Sequence, residues 1–137
     1  MNETSNQQTI QHAYDCFTQG NIAGLLNELT NDVIWHVAPV NNVPYTGTRN
    51  GQEGAADFFA QMAECEDTLQ FEPREFIAQG DKVAVVGQYA GRVKATGRDY
   101  ATYFIHVFTM RDGKIARFDE YTNTAAIAAA FVKTQTA

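Results

Sequence analysis

Cysteine, proline and clustered positive charge are all scarce in this chain, and each scarcity closes a class of function. Of 137 residues only Cys16 and Cys65 are cysteines, with no CxxC and no framework spacing. They read as reduced, small apolar side chains rather than as a disulfide or redox pair. The ten basic residues stand singly against sixteen acidic ones, for a net charge of −6. Binding a phosphate backbone needs a clustered basic footprint, so no nucleic acid is expected as a partner. No apolar run approaches the ~20 residues of a membrane span, so no membrane is expected either. The start, "MNETSNQQTIQ", lacks the basic residues and apolar stretch of a secretion signal, which points to a cytoplasmic protein. HExxH, His-x-His and acidic clusters at metal spacing are missing, so no metal is expected. GxGxxG and GxxxxGK[ST] are missing too, and with them the expectation of a nucleotide cofactor; GxSxG is also absent.

What is present suffices for one core. Hydrophobic residues make up 45% of the chain and aromatic residues 12%, and this length fits a single domain over residues 1–137. Ile10, Ala13, Tyr14 and Phe17 recur at helical spacing between Ser5 and Gln19, and Gly20 ends that helix. Asn21 can cap a shorter helix carrying Ile22, Leu25, Leu26 and Leu29. "DVIWHV" reads as a strand, and "APVNNVPYTGTRNG", with two of the three prolines, as loop. A third helix spans about Gln52 to Glu64, with Ala55, Phe58, Phe59 and Met62 as its apolar face. "LQFEPREFIA" alternates around Pro73, which suggests an edge position or a bulge. "KVAVVGQYAGRV", "RDYATYFIHVFTM" and "KIARFDEYT" read as strands, and "TAAIAAAFVK" as a short terminal helix. Helices bunched before an antiparallel meander imply an α+β fold, a curved sheet wrapped over helices.

One residue in the long strand breaks its apolar pattern: His106. Taking "RDG" as a three-residue hairpin loop sets Met110 opposite Lys114, Phe104 opposite Glu120 and His106 opposite Phe118. Period-two alternation then puts Phe104, His106, Phe108, Phe118, Glu120 and Thr122 on one face. Ile105, Val107, Ile115, Arg117, Asp119 and Tyr121 fall on the other. A two-residue loop would place Asp119 beside His106 instead. In the first register His106 and Glu120 are diagonal neighbours, roughly 7–8 Å apart at Cβ, within reach of long side chains. An imidazole and a carboxylate in an apolar setting can exchange protons with a substrate near neutral pH, which general acid–base chemistry requires. The bland alternative is a satisfied polar pair that only ties two strands together. His12 lies off the apolar stripe and reads as solvated; His36 either lines the same cavity or faces solvent.

"DVIWHVAP" followed by "VPYTGTRNGQEGAADFF" resembles the signature of SnoaL-like polyketide-cyclase relatives: a Trp-His strand, a Pro-rich loop, and a G-x-x-x-G opening a helix. "FTMRDGKIARFDEYTNTAAI" is similar to the final hairpin of the same group, and "AYDCFTQGNIAGLLNELTNDVIW" to its start, so the resemblance covers nearly the whole chain. It implies the cone-shaped, nuclear transport factor 2-like fold shared with ketosteroid isomerase and limonene epoxide hydrolase. That superfold hosts enzymes, binders and interaction domains alike. Against the isomerase, the tyrosine position holds Ala13 with Tyr14 one residue off, the base position holds Val37, and the oxyanion aspartic acid position holds His106. A steroid isomerase mechanism is therefore not implied. The cyclases resemble this chain in pairing a strand histidine with a carboxylate on the last strand, here His106 and Glu120, although theirs is typically an aspartate. Asn123 stands where relatives often carry Asp.

Two readings follow. In the first, Trp35, Tyr45, Phe58, Phe104, Phe108 and Phe118 wall a pocket for a hydrophobic small molecule with a carbonyl group. Glu120 abstracts an α-proton and His106 holds or protonates the enolate, giving cyclisation or isomerisation with no cofactor. In the second, the chain is a non-catalytic binding or interaction domain with its cone filled by its own aromatics. Both accommodate a homodimer through the outer sheet face.

Overall fold

A computed structural model of the chain describes residues 2–133. Asn2 caps the first helix, α1 (Glu3–Thr18), accepting from the Ser5 amide at 2.7 Å. Gly20, at φ +74°, turns the chain into α2 (Ile22–Leu26), whose Asn21 cap accepts from Gly24. Leu29, expected on that helix, instead opens strand β1 (Leu29–Val37). Its place in the core is the same, but it is reached by an extended backbone.

The segment expected to be loop throughout contains a short strand, β2 (Gly47–Asn50), which pairs antiparallel with β1. Then follow α3 (Gly51–Cys65), β3 (Glu66–Gln79), β4 (Lys82–Val93), β5 (Asp99–Arg111), β6 (Lys114–Thr122) and α4 (Thr124–Phe131). The six strands form one sheet in the order β2-β1-β6-β5-β4-β3, antiparallel except where β1 runs parallel to β6. β3 is an edge strand, and its register slips at Pro73, where the missing N–H cannot join the ladder. Helices α1, α3 and α4 pack against the sheet, and the core is rich in aromatic and β-branched residues.

The β5–β6 hairpin departs from the expected register in two ways that cancel for one residue and not for another. Asp112 and Gly113 both have positive φ, +53° and +80°, so the loop has two residues and Arg111 faces Lys114. A bulge at Ala116 then restores the alternation: Met110 pairs with Ile115, but Thr109 pairs with Arg117. His106 thus sits directly opposite Glu120 rather than Phe118, and Phe104 opposite Thr122 rather than Glu120. The inward set is as expected. Ile115, expected outside, is buried within, because the bulge lets it and Phe118 point the same way. Asp119 stays off the cavity in a two-point contact with Arg117. Among the described residues no helix is long and apolar enough to cross a membrane.

Candidate active site

Tyr14 reaches the sheet from α1 because the helical stripe that buries Ile10 and Ala13 carries it inward. Its hydroxyl lies 2.8 Å from His106 Nδ1, and His106 Nε2 lies 2.7 Å from Glu120 Oε2. His106 is buried between rings, stacked on Phe104 at 4.2 Å and edge-on to Phe118 at 4.8 Å. Burial, and after it the charge of Glu120, hold the Tyr14 phenol well above the usual tyrosine range, so it keeps its proton.

The protons can then be placed. If the phenol donates to Nδ1, the neutral imidazole carries its hydrogen on Nε2 and donates to Glu120. If the ring is protonated, Nδ1–H donates to the phenol oxygen and Nε2–H still donates to Glu120. Either way both ring nitrogens are engaged. Glu120 keeps Oε1 without a hydrogen bond to the described residues, and its side chain is 21% exposed where His106's is 7%. Of the two, the carboxylate is the more exposed, and both line one cavity.

That cavity has a volume of about 90 Å³. Tyr14, His106 and Glu120 line it, as do Trp35, Tyr45, Phe58, Phe104, Phe108 and Phe118. Trp35 lies parallel to Phe118, with ring centroids 4.0 Å apart, and packs obliquely on Phe58 and Phe59. Its indole N–H has no hydrogen-bond partner among the described residues. His36 does not line the cavity; it contacts Thr48 across β1 and β2 at 2.7 Å. His12 is exposed beside Glu28. Among the described residues no three His, Cys, Asp or Glu side chains gather to hold a metal ion.

The sequence reading missed two features of this cavity. Tyr14 passed as apolar packing, although a tyrosine on a buried stripe has a hydroxyl that needs a partner. The second is Glu66, the C-cap of α3 and the first residue of β3. It accepts from Tyr45 at 2.6 Å, Tyr89 at 2.7 Å and Tyr100 at 2.6 Å, all four residues being buried. Tyr89 and Tyr100 sit at inward positions of their strands, and that alternation was the available signal.

Comparison with known proteins agrees with this architecture. The SnoaL-like domain matches residues 10–118. A crystal structure of an NTF2-like protein from Burkholderia xenovorans is 32% identical, covering 96% of this chain and 99% of that one, with a TM-score of 0.88. The structure of TerC co-crystallised with polyporic acid is 30% identical, covers 93% and 98% of the two chains, and has a TM-score of 0.80. A Mesorhizobium loti chain described as a candidate SnoaL-like polyketide cyclase shares the fold at 18% identity, with 84% and 97% coverage and a TM-score of 0.70. The curated proteins gave no match. With a family match across most of its length and the helix–sheet cone that goes with it, this chain belongs to the SnoaL-like family of the nuclear transport factor 2-like superfamily.

Proposed function

We propose that the protein is a cofactor-free enzyme that removes a proton α to a carbonyl in a flat, hydrophobic substrate. The observation that carries this reading is the chain Tyr14–His106–Glu120, which ends in a carboxylate oxygen free to meet a ligand in an apolar cavity. Glu120 Oε1 takes the α-proton, and the C–H electron pair becomes the enolate. In a cyclisation the enolate carbon attacks a second carbonyl of the same molecule, a C–C bond forms, and the new alkoxide recovers the proton. In an isomerisation the proton returns to a different carbon. His106 acts through Glu120 in this scheme, orienting the carboxylate and sharing the proton it gains, which revises the enolate-holding role expected from sequence. TerC, 30% identical to this chain, was co-crystallised with polyporic acid, which supports reading the cavity as a small-molecule site.

The rival, a cone filled by its own side chains, gives Glu120 Oε1 no hydrogen-bond partner among the described residues. Solvent-deuterium exchange tests the proposal without the natural substrate. With 2-tetralone in D2O, followed by NMR, the wild type should accelerate exchange of the α-protons. Glu120→Gln should lose about 10²–10⁴-fold of that acceleration while melting cooperatively. Equal exchange by the two proteins, or none above buffer, removes Glu120 as the base.

A further inference from the structure

The cavity has a second polar pole that the proposed chemistry does not use. Glu66 lies at the start of β3, and the three phenols that donate to it come from the loop before β2, from β4 and from β5. Gly91 makes room for it: a Cβ there would stand 2.8 Å from Glu66 Oε2 and 3.2 Å from the rings of both Tyr89 and Tyr100. Along β5, Tyr100 and His106 share the inward face but are separated by roughly 20 Å of strand, at ~3.4 Å per residue. The same cavity is lined by Tyr45, Tyr89 and Tyr100 at one end and by His106 and Glu120 at the other.

Hydrogen-bond accounting gives this pole a definite preference. A phenol has one hydrogen, and each of the three spends it on Glu66. Thr68 must therefore be the donor in its 2.9 Å contact with the Tyr89 oxygen. Burial is the first cause holding all three phenols protonated, so none is released as a phenolate. Toward a ligand the cluster offers oxygen lone pairs over a buried carboxylate, and no hydrogens. An ether or carbonyl placed there finds no donor, and a carboxylate meets like charge.

We propose that the Glu66–Tyr45–Tyr89–Tyr100 cluster is a specificity pole that selects substrates bearing a hydroxyl at the end remote from the reacting carbon. This rests on the reading of the cavity as a small-molecule site, and it narrows the substrate class from flat carbonyl compounds to elongated hydroxyaryl ones. The residues act by accepting a hydrogen bond from the ligand and take no part in proton abstraction.

Isothermal titration with chalcone, 4-hydroxychalcone, 4-methoxychalcone and 4-carboxychalcone tests it, because the four differ only at one end. The hydroxy compound should bind the wild type about tenfold more tightly than chalcone or the methyl ether, and the acid most weakly, as expected for one buried hydrogen bond and one like-charge clash. Glu66→Gln, which adds donor capacity, should erase the hydroxyl preference and leave chalcone binding in place. Glu120→Gln should keep the preference. In wild type carrying tyrosine labelled with carbon-13 at Cζ, the hydroxy compound should shift three inward signals more than chalcone does, a readout that survives if Glu66→Gln fails to fold. Equal affinity for the hydroxy and methoxy compounds, a preference that persists in Glu66→Gln, or no binding by any of the four overturns the proposal. Deuterium exchange that still depends on Glu120 would leave the base assignment standing while this pole falls. Loss of that dependence with the hydroxyl preference intact would do the reverse.

Discussion

At the scale of single residues, the site turns on which atoms have partners. Both nitrogens of His106 are engaged, which makes Tyr14 the group that fixes the imidazole's orientation. Tyr14→Phe leaves Nδ1 buried with nothing to bond, and should cost about 1–3 kcal/mol of stability, read as a lowered urea midpoint. Its effect on α-proton exchange should be smaller than that of Glu120→Gln, because the carboxylate remains. Long-range proton–nitrogen NMR of His106 should show a changed tautomer balance in this variant; an unchanged histidine spectrum would refute the positioning role. His106 and Glu120 were legible in the sequence because they interrupt an alternating apolar pattern. Tyr14 and Glu66 were not, because a tyrosine on an apolar stripe looks like packing and a carboxylate at a helix end looks solvated.

At the scale of elements, the inward-facing set depends on backbone details that residue types only hint at. Asp112-Gly113 is a strong signal for a two-residue turn, and the three-residue reading passed over it. The bulge at Ala116 has no comparable signature, yet without it the two-residue turn would have aimed Asp119 at His106. A second backbone detail lies in β4. A Cβ on Gly87 would approach both the Glu72 carbonyl oxygen and Phe104 Cζ to within 2.4 Å. Gly87 thereby lets Phe104 lie flat under Phe71 and against His106. Gly87→Ala should destabilise by about 1–3 kcal/mol through overpacking and slow exchange by tilting the ring that backs His106. Thermal melts and the exchange assay check the two effects; a fully stable, fully active variant would show that the sheet absorbs the extra methyl.

At the scale of the whole molecule, four buried tyrosines couple folding to alkaline pH. Tyr14, Tyr45, Tyr89 and Tyr100 are all pushed upward, chiefly by burial. A group whose folded pKa is raised contributes its stabilisation in full below its unfolded pKa, about 10 for tyrosine, and loses it as pH rises beyond that value. Stability should therefore be insensitive to these groups at neutral pH. Above pH 10 it should fall with a slope approaching about 1.4 kcal/mol per pH unit for each of the four. Urea midpoints between pH 8 and 11.5, with tyrosinate absorbance followed alongside, test this: the four should ionise together with unfolding, not before it.

The sequence by itself determined the fold class, the helix order and the inward placement of His106, and it limited Pro73 to an edge or a bulge and the partner of His106 to Asp119 or Glu120. These follow from local rules, helical and strand periodicity and turn chemistry, that act over a few residues. The tertiary structure alone decided that His106 opposes Glu120 directly, that Tyr14 joins them, and that Glu66 gathers three phenols. Each joins positions far apart in sequence through a bulge or a helix docked on a sheet. Such contacts depend on how whole elements pack, because a buried polar atom must find its partner wherever the fold brings one within about 3 Å.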